Sequence, residues 1–287
     1  MVWLDTNLQQ IFIDGLLLEM GFYIERWQEI EDFEEEAKEL SKYVRENLWD
    51  EKTGFLYDQY ADDSLCPAMT ISAFWALHTD VLGKEQTDRL VSRLSDEKTF
   101  GRPCPVPSLS ADNPKYNERG RYWQGGVWPG TNYMVIDGLR KKGYDDRAYE
   151  IASKFYIQVF EVFKEKGTFF EYYSPEFIEE GFLARDEFVG WTGLAPISLL
   201  LEYKLGISSD FSQKKVVWDI RQTEAHGVEN YAFGPEATLK MVAEKRKSAS
   251  QQVKVNVTSD TAFKLVLKRG NLTKEFQVQP GSNTFTL

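Results

Sequence analysis

Residues 121–132 read RYWQGGVWPGTN, and this stretch gives the clearest indication of how the chain folds. Trp123 and Trp128 flank a glutamine and two glycines, a composition typical of a loop. Pro129 then opens a segment with helical periodicity. Proline is favoured in the first turn of a helix, because the N–H that it lacks would have no partner there. An aromatic, glycine-rich loop therefore leads directly into a helix.

The same alternation of loop and helix extends over the first 206 residues. Hydrophobic periodicity predicts helices near residues 6–20, 33–48, 67–82, 85–94, 129–142, 145–164 and 190–205. We expect Asp5 or Thr6 to cap the first helix and Gly21 to end it. Three long loops lie between the helices, over residues 54–64, 95–126 and 167–188. Loops of this length in a compact domain are usually functional, and the pattern predicts helical hairpins stacked in part of a ring.

The character of the sequence changes after Gly206. Short β-rich runs alternate apolar and polar positions at residues 216–220, 237–242, 253–257, 263–267 and 276–278. Turn-forming residues separate these runs. We therefore expect a mainly α chain, with a partial helical toroid of about seven helices over residues 1–208. A small all-β, sandwich-like module is expected over residues 209–287.

The composition excludes several classes of function. The formal net charge is −11, so the chain lacks the basic surface that binds nucleic acid or an anionic membrane. No apolar run is long enough to span a bilayer. No signal peptide precedes Asp5, which predicts a cytoplasmic protein unless the N-terminus is truncated.

The reactive residues are few. His78 and His226 are the only histidines, which leaves little scope for imidazole chemistry. Cys66 and Cys104 have no metal-ligand spacing, although they could form one disulfide bridge. We expect no cofactor, and no metal because the sequence contains no calcium-type loop. Any catalysis must therefore depend on carboxylates.

Aromatic residues make up 14% of the chain. One explanation is a core rich in aromatic rings, and the other is a carbohydrate site in which flat rings stack on sugar faces. Composition alone does not separate the two.

Three loop segments carry candidate site residues, and the first contains Asp58. This carboxylate follows two aromatic residues within the run GFLYD at residues 54–58. It could cap the next helix, or it could accept hydrogen bonds from sugar hydroxyls.

The second segment is the opening stretch itself. Gly125 lets a ligand approach the backbone, and the amide of Gln124 can both donate to and accept from a pair of hydroxyls. Packing of aromatic rings under a loop would explain the tryptophans but not the glycines and glutamine.

The third segment surrounds Glu171 with four aromatic residues in the run FFEYY at residues 169–173. A carboxylate in such surroundings loses solvation, which raises its pKa unless a partner opposes the effect. Glycosidases depend on carboxylates tuned in this way. The alternative is a buried glutamate paired with Arg121 or Arg185.

Taken together, the segments resemble glycoside hydrolase family 63. The run YWQGGVWP at residues 122–129, with Asn132-Tyr133, is similar to that family's Tyr-Trp-Arg-Gly-Pro-Ile-Trp-Pro…Asn-Tyr signature. Residues 170–176 (FEYYSPE) and 188–194 (FVGWTGL) follow in the family's order. Residues 4–8 (LDTNL) resemble the start of a mid-barrel helix. Family 37 trehalases share the architecture, and bacterial members of family 63 include hydrolases of mannosylglycerate and glucosylglycerate.

The resemblance implies an (α/α)6 barrel that hydrolyses an α-glycosidic bond with inversion. Glu171 matches the general base that activates water. Tyr122, Trp123, Gln124, Gly125 and Trp128 match the sugar-binding segment, and we also expect Asp58, Tyr172 and Trp191 to contact the substrate. Gln124 stands where the family has arginine and Gly126 where it has proline, so the preferred sugar is expected to differ. The expected partner is an oligosaccharide or a small α-glycoside.

One departure from the family is large. The general acid of family 63 is an aspartate just upstream of the helix that residues 4–8 resemble, and this sequence begins at that helix. We therefore expect a piece of a longer glycosidase, either inactive alone or completed by the missing half of its barrel. A non-catalytic carbohydrate-binding or assembly protein is the alternative. Half a toroid should also expose apolar helix flanks, which predicts a homodimer or a large apolar patch.

Overall fold

The helices of the chain lie mainly in its first part. The computed structural model describes residues 1–235 and 237–287, with only the backbone of Trp27. Two compact units, Met1–Pro196 and Ile197–Leu287, make up the chain. The α-helices of the first unit are α1 (Leu4–Tyr23), α2 (Glu31–Tyr43), α3 (Lys84–Ser92), α4 (Pro129–Lys141) and α5 (Asp145–Lys166).

Shorter helical turns and a small β-ribbon complete these elements. In the described residues, π-helices are present at Val44–Leu48 and at Ala195–Lys204. The 3-10 helices are Trp27–Glu29, Ile71–His78 and Trp191–Leu194. Strands β1 (Trp49–Asp50) and β2 (Phe55–Leu56) pair antiparallel. Each of the helical segments predicted from the sequence therefore contains helical structure.

The helix predicted over residues 67–82 is shorter than expected and is wound as a 3-10 helix over Ile71–His78. Tertiary contacts explain the difference. The N–H of Ile71 donates to the carbonyl of Ser108 at 3.1 Å, and the N–H of Ser110 donates to the carbonyl of Met69 at 3.0 Å. Because the residues before Ile71 are paired with the loop that follows α3, they cannot also form a helical turn.

Both predicted ends of α1 were wrong. The helix begins at Leu4, ahead of Asp5 and Thr6, because Asp58 accepts a hydrogen bond from its first N–H. It continues past Gly21 to Tyr23. Gly21 instead lets the side chain of Ile30 pack closely against α1, because a Cβ at this position would lie 2.5 Å from Cδ1 of Ile30.

α1 is apolar on two faces. Its buried face carries Leu4, Leu8 and Ile11, with Gly21 further along. A second stripe of Ile13, Leu16 and Met20 follows helical spacing and is exposed, with Met20 at 61%. A soluble helix normally buries its apolar stripe against another element. We call this exposed stripe the α1 face, and the large patch or homodimer expected from the sequence stays a prediction.

The second unit contains two four-stranded sheets. Their orders are β10-β7-β6-β5 and β3-β4-β8-β9, in which only β4 and β8 are parallel. One core, including Trp218, Phe233 and Phe263, contains residues of both sheets. The strands are β3 (Ile207–Asp210), β4 (Lys215–Asp219), β5 (His226–Ala232), β6 (Thr238–Ala243), β7 (Lys254–Ser259), β8 (Phe263–Arg269), β9 (Leu272–Val278) and β10 (Gly281–Thr286). Helices followed by β-strands are what the sequence predicted.

Candidate functional site

A pair of backbone hydrogen bonds joins two of the predicted site segments. The N–H of Val127 donates to the carbonyl of Tyr173 at 2.9 Å, and the N–H of Tyr173 donates back at 3.0 Å. Glu171 and Trp128 therefore lie on neighbouring stretches of backbone, although they are far apart in the sequence. The two loops that the sequence singled out form one structural unit.

An aromatic cluster forms beside this bridge. Trp128 stacks on Trp123 with ring centroids 4.5 Å apart, and on Tyr172 also at 4.5 Å. Tyr122 meets Trp128 edge-on at 5.2 Å, and Trp191 is tilted against it at 5.9 Å. The structure thus brings together the five aromatic residues that the sequence nominated for substrate binding.

These five rings differ in exposure. Trp128 and Tyr172 are buried, at 5% and 3%, so the packing explanation fits them. Tyr122, Trp123 and Trp191 remain open to solvent, with Trp123 at 48%. Exposed rings on a rigid aromatic support are suited to stack on the apolar face of a sugar, because little conformational entropy is lost on binding.

Glu171 is half-buried between two buried neighbours, Phe170 and Tyr172. Its backbone is fixed on both sides. Its N–H donates to the carbonyl of Arg185 at 2.9 Å, and its carbonyl accepts from Nε1 of Trp191 at 2.8 Å.

The side chain of Glu171 is not fixed in this way. Among residues 1–235 and 237–287, no side chain forms an ion pair or hydrogen bond with its carboxylate. The described residues therefore do not show the pairing with Arg121 or Arg185 that the sequence left open.

The turn that carries Tyr122 and Trp123 has an unusual backbone. Tyr122 adopts a left-handed conformation with φ of 52°, and Gly125 has φ of 106°. The N–H of Gly126 donates to the carbonyl of Tyr122 at 3.0 Å. A Cβ at Gly126 would collide with that same oxygen. The proline expected here from the resemblance to family 63 would lack the N–H and occupy the filled space, so Gly126 is a local requirement of this turn.

Gln124 lies at the exposed tip of the same turn. Its backbone is held by two hydrogen bonds: its N–H donates to the carbonyl of Arg121, and its carbonyl accepts from Asn117, both at 2.9 Å. Its position suits contact with a bound hydroxyl group.

Asp58 has a different position. Its Oδ1 accepts the N–H of Leu4 at 2.8 Å, so Asp58 caps α1. One interpretation of the sequence had expected it to cap the helix that follows it, and this was wrong. Burial raises the pKa of Asp58, although the hydrogen bond from Leu4 opposes the increase. In the described part of the chain, no hydrogen bond or ring contact joins Asp58 to the aromatic cluster. The structure therefore does not unite it with the other candidates.

Ser108 is a site residue that the sequence did not reveal. Its N–H donates to the carbonyl of Gly126 at 3.0 Å, and its Oγ accepts the N–H of Gly125 at 3.2 Å. Ser108 therefore holds the backbone of both glycines in place through hydrogen bonds. A serine in a proline-rich run gives no sequence signal of this role, because its partners lie well beyond its neighbours in the same long loop.

Two further observations concern chemistry that the sequence had addressed. Cys66 and Cys104 are both free thiols, so the disulfide bridge that the sequence allowed is not formed. In the residues that the structure describes, no helix is long and apolar enough to cross a membrane.

Comparison with known proteins agrees with the sequence motifs. The profile of a family described as "Mannosylglycerate hydrolase MGH1-like glycoside hydrolase domain" matches residues 16–190. A mannosylglycerate hydrolase from Rubrobacter radiotolerans is 25% identical over 174 residues, which cover 59% of this chain and 37% of that protein. Mannosylglycerate hydrolase MGH1 from Selaginella moellendorffii is 33% identical over 112 residues, which cover 38% of this chain and 21% of that protein.

A solved structure shows the same fold in the matched region. It is the family 63 mannosylglycerate hydrolase from Thermus thermophilus in complex with Tris, with a TM-score of 0.58 and 21% identity. The match covers 68% of this chain and 44% of that one. This chain thus spans less than half the length of the relatives that it matches.

Proposed function

Because the chain belongs to the family of mannosylglycerate hydrolase MGH1-like glycoside hydrolase domains, we propose that it serves the hydrolysis of a small α-glycoside with inversion. The observation that carries this proposal is the carboxylate of Glu171 beside the aromatic cluster, which pairs with no side chain that the structure describes. The relatives named above are hydrolases, which does not favour the alternative of a non-catalytic binding protein.

In the proposed mechanism Glu171 is the general base. Its carboxylate takes a proton from a water molecule while the oxygen of that water attacks the anomeric carbon. The glycosidic C–O bond breaks on the opposite face, and a second carboxylic acid gives its proton to the departing oxygen. Inverting enzymes hold the two carboxyl groups about 6.5–9.5 Å apart to leave room for the water.

The aromatic cluster and its turn bind the sugar in this proposal. Tyr122, Trp123 and Trp191 offer exposed ring faces, and the buried rings of Trp128 and Tyr172 hold them in place. The side-chain amide of Gln124 takes a hydroxyl group at the exposed tip of the turn. Gly125 acts by shaping the turn, because its N–H is already bonded to Ser108 and the ring of Tyr116 lies against it. Asp58 is proposed to make a smaller contribution to binding. Its Oδ1 is occupied by the capping bond, which leaves Oδ2 to accept a hydrogen bond from a hydroxyl group.

The general acid is proposed to come from further helices that pack on the α1 face. The relatives extend well beyond the matched region, and Ile13, Leu16 and Met20 offer an apolar surface for such helices. In this arrangement residues 1–208 are part of an (α/α)6 barrel, and residues 209–287 form a β-sandwich-like module.

A matched pair of variants tests the role of Glu171. Glu171→Gln removes the base, whereas Glu187→Gln neutralises an exposed carboxylate of the same loop. We expect Glu171→Gln to lower kcat on mannosylglycerate by at least about a hundredfold, the usual contribution of a general base, and Glu187→Gln to leave it unchanged. Proton NMR of the first product anomer checks inversion. Undiminished hydrolysis by Glu171→Gln would reject the assignment.

Binding is measured separately from hydrolysis. Titration of tryptophan fluorescence with mannosylglycerate reports on the cluster even where turnover is absent, and Glu171→Gln should still bind. A chain that neither binds nor hydrolyses mannosylglycerate, glucosylglycerate or trehalose would contradict the proposed function.

A further inference from the structure

Glu176 lies five residues after Glu171 and joins the two loops of the candidate site. Its carboxylate receives Nε of Arg102 at 2.6 Å and Nη2 at 2.8 Å, so the two groups form a two-pronged ion pair. The hydroxyl of Tyr116 donates to Oε1 at 2.6 Å. Both oxygens of this carboxylate are therefore occupied, in contrast to those of Glu171.

The environment of Glu176 makes these bonds strong. Its side chain is only 12% exposed, and that of Arg102 is 25% exposed. Burial alone would raise the pKa of Glu176, but the hydrogen bonds from Arg102 and Tyr116 outweigh it and lower the pKa. Glu176 is thus ionised at neutral pH. A forked arginine–carboxylate pair of this kind fixes orientation as well as contributing energy.

Tyr116 connects Glu176 to the sugar-binding turn. Its ring lies directly against Gly125, where a Cβ would be 2.8 Å from Cε2 of the ring. The next residue, Asn117, donates its N–H to the carbonyl of Gln124 at 2.9 Å. The ring and the adjoining backbone therefore support the turn from one side.

The turn requires such support because part of its backbone is unfavourable. Tyr122 has φ of 52° and is 56% exposed, so its own side-chain packing does little to hold this conformation. A bulky residue in the left-handed region is a conformational outlier that persists only where the surroundings impose it.

We infer that Glu176 is a positioning residue for the sugar-binding turn. Through Arg102 it is locked in one orientation, and through Tyr116 it holds an aromatic ring against Gly125. This contact fixes the directions in which Tyr122 and Trp123 project. The inference rests on the proposed function, because it takes the turn to be the part that binds sugar.

A second ion pair in the chain provides a control that separates positioning of the turn from a general loss of stability. Arg119 and Glu179 form a second ion pair between the same two loops, with Nε and Oε1 2.8 Å apart. The atoms that lie closest to a Cβ at Gly125 belong to Tyr116 and Asn117, and not to Arg119 or Glu179. Glu176→Gln and Glu179→Gln each remove one charge from one such pair, but only the first weakens the acceptor that holds Tyr116.

Hydrogen–deuterium exchange on the full chain gives a measurement that needs no activity. We expect Glu176→Gln to increase the exchange rate of amides in residues 116–126 by about tenfold, equivalent to about 1.4 kcal/mol of lost local stability. Tyr116→Phe keeps the ring but loses its hydroxyl bond, so it should give a smaller increase. Glu179→Gln should leave this segment unchanged, and exchange in α5 should be unchanged in all three variants.

Kinetics and binding separate positioning from chemistry. We expect Glu176→Gln to raise KM for mannosylglycerate, or Kd where turnover is absent, by about tenfold while kcat changes less than about threefold. Equal exchange in Glu176→Gln and Glu179→Gln would overturn the inference. So would an increase spread evenly over the first unit, since that would be a loss of global stability. A local increase in a chain that binds none of the sugars would support the positioning role and reject the proposed function.

Discussion

Asp58 caps a helix that begins 54 residues before it in the sequence: its Oδ1 accepts the N–H of Leu4 at 2.8 Å. The residue just ahead of α1, Trp3, forms no side-chain cap of its own. The loop that carries Asp58 therefore supplies one of the acceptors that every helix N-terminus requires. The carboxylate also lies where the positive end of the helix dipole stabilises negative charge.

Removal of this cap should weaken the first unit. We expect Asp58→Ala to lower the free energy of unfolding by about 1 kcal/mol, the usual effect of losing a helix cap. Urea titration followed by circular dichroism measures the change. Asp62→Ala is the control, because Asp62 is exposed and accepts hydrogen bonds only from nearby Ser64. Equal losses of unfolding free energy in the two variants would show that the cap formed by Asp58 does not stabilise the first unit.

The second prediction concerns Gly126. We expect Gly126→Ala to destabilise the chain by about 1–3 kcal/mol, because the added Cβ would collide with the carbonyl of Tyr122. Thermal unfolding checks the loss, and tryptophan fluorescence checks disturbance of the cluster. Gly130→Ala is the control, since its Cβ would come no closer than 3.7 Å to Trp191. A fully stable Gly126→Ala variant would contradict the described geometry of the turn.

The third prediction is a pH dependence due to His78. Burial lowers its pKa below the ordinary 6.5, although the hydrogen bond from its Nε2 to the carbonyl of Met134 opposes this. The unfolded chain therefore takes up a proton first as the pH falls. The stabilising contribution of neutral His78 is present above about pH 6.5 and is lost as the pH falls toward the lower folded value.

Urea midpoints between pH 5 and pH 7.5 measure this slope. His78→Gln keeps a hydrogen-bond donor but cannot titrate, so it should lose the part of the slope due to His78. His226→Gln alters the other histidine of the chain and should retain that part. A slope that is the same in His78→Gln and the unaltered protein would show that His78 does not cause it.

The fourth prediction concerns the α1 face. We expect Leu16→Lys to change the free energy of unfolding by less than about 0.5 kcal/mol, because Leu16 is already exposed. The same substitution should weaken any association through this face, which sedimentation velocity would detect. Glu36→Lys adds positive charge at an exposed position of α2 and should not affect association. A chain that remains monomeric at high concentration, with or without Leu16→Lys, would mean that this face does not bind another copy.

Local sequence rules predicted the elements whose causes are local. Pro129 marks the start of α4, and α5 begins at Asp145, where the periodicity predicted it. The aromatic cluster was also accessible from the sequence, because the motifs that contain it resemble a known family. The unpaired state of Glu171 was not accessible, since it depends on where two exposed arginines project.

Other features depend on partners that are distant in the sequence. The cap of α1 is Asp58, and the shortened helix at Ile71 reflects pairing with Ser108. Ser108 also supports Gly125 and Gly126. Patterns of spacing and propensity describe a few neighbouring residues, so they cannot show which remote loop supplies a hydrogen bond.

The bridge between Val127 and Tyr173 has an evolutionary consequence. It ties the backbone that precedes Trp128 to the backbone that follows Glu171. An insertion or deletion in either loop would displace Glu171 together with the aromatic rings. The surface of this site is therefore more readily altered by exchanging side chains at exposed positions such as Gln124 than by remodelling the loops.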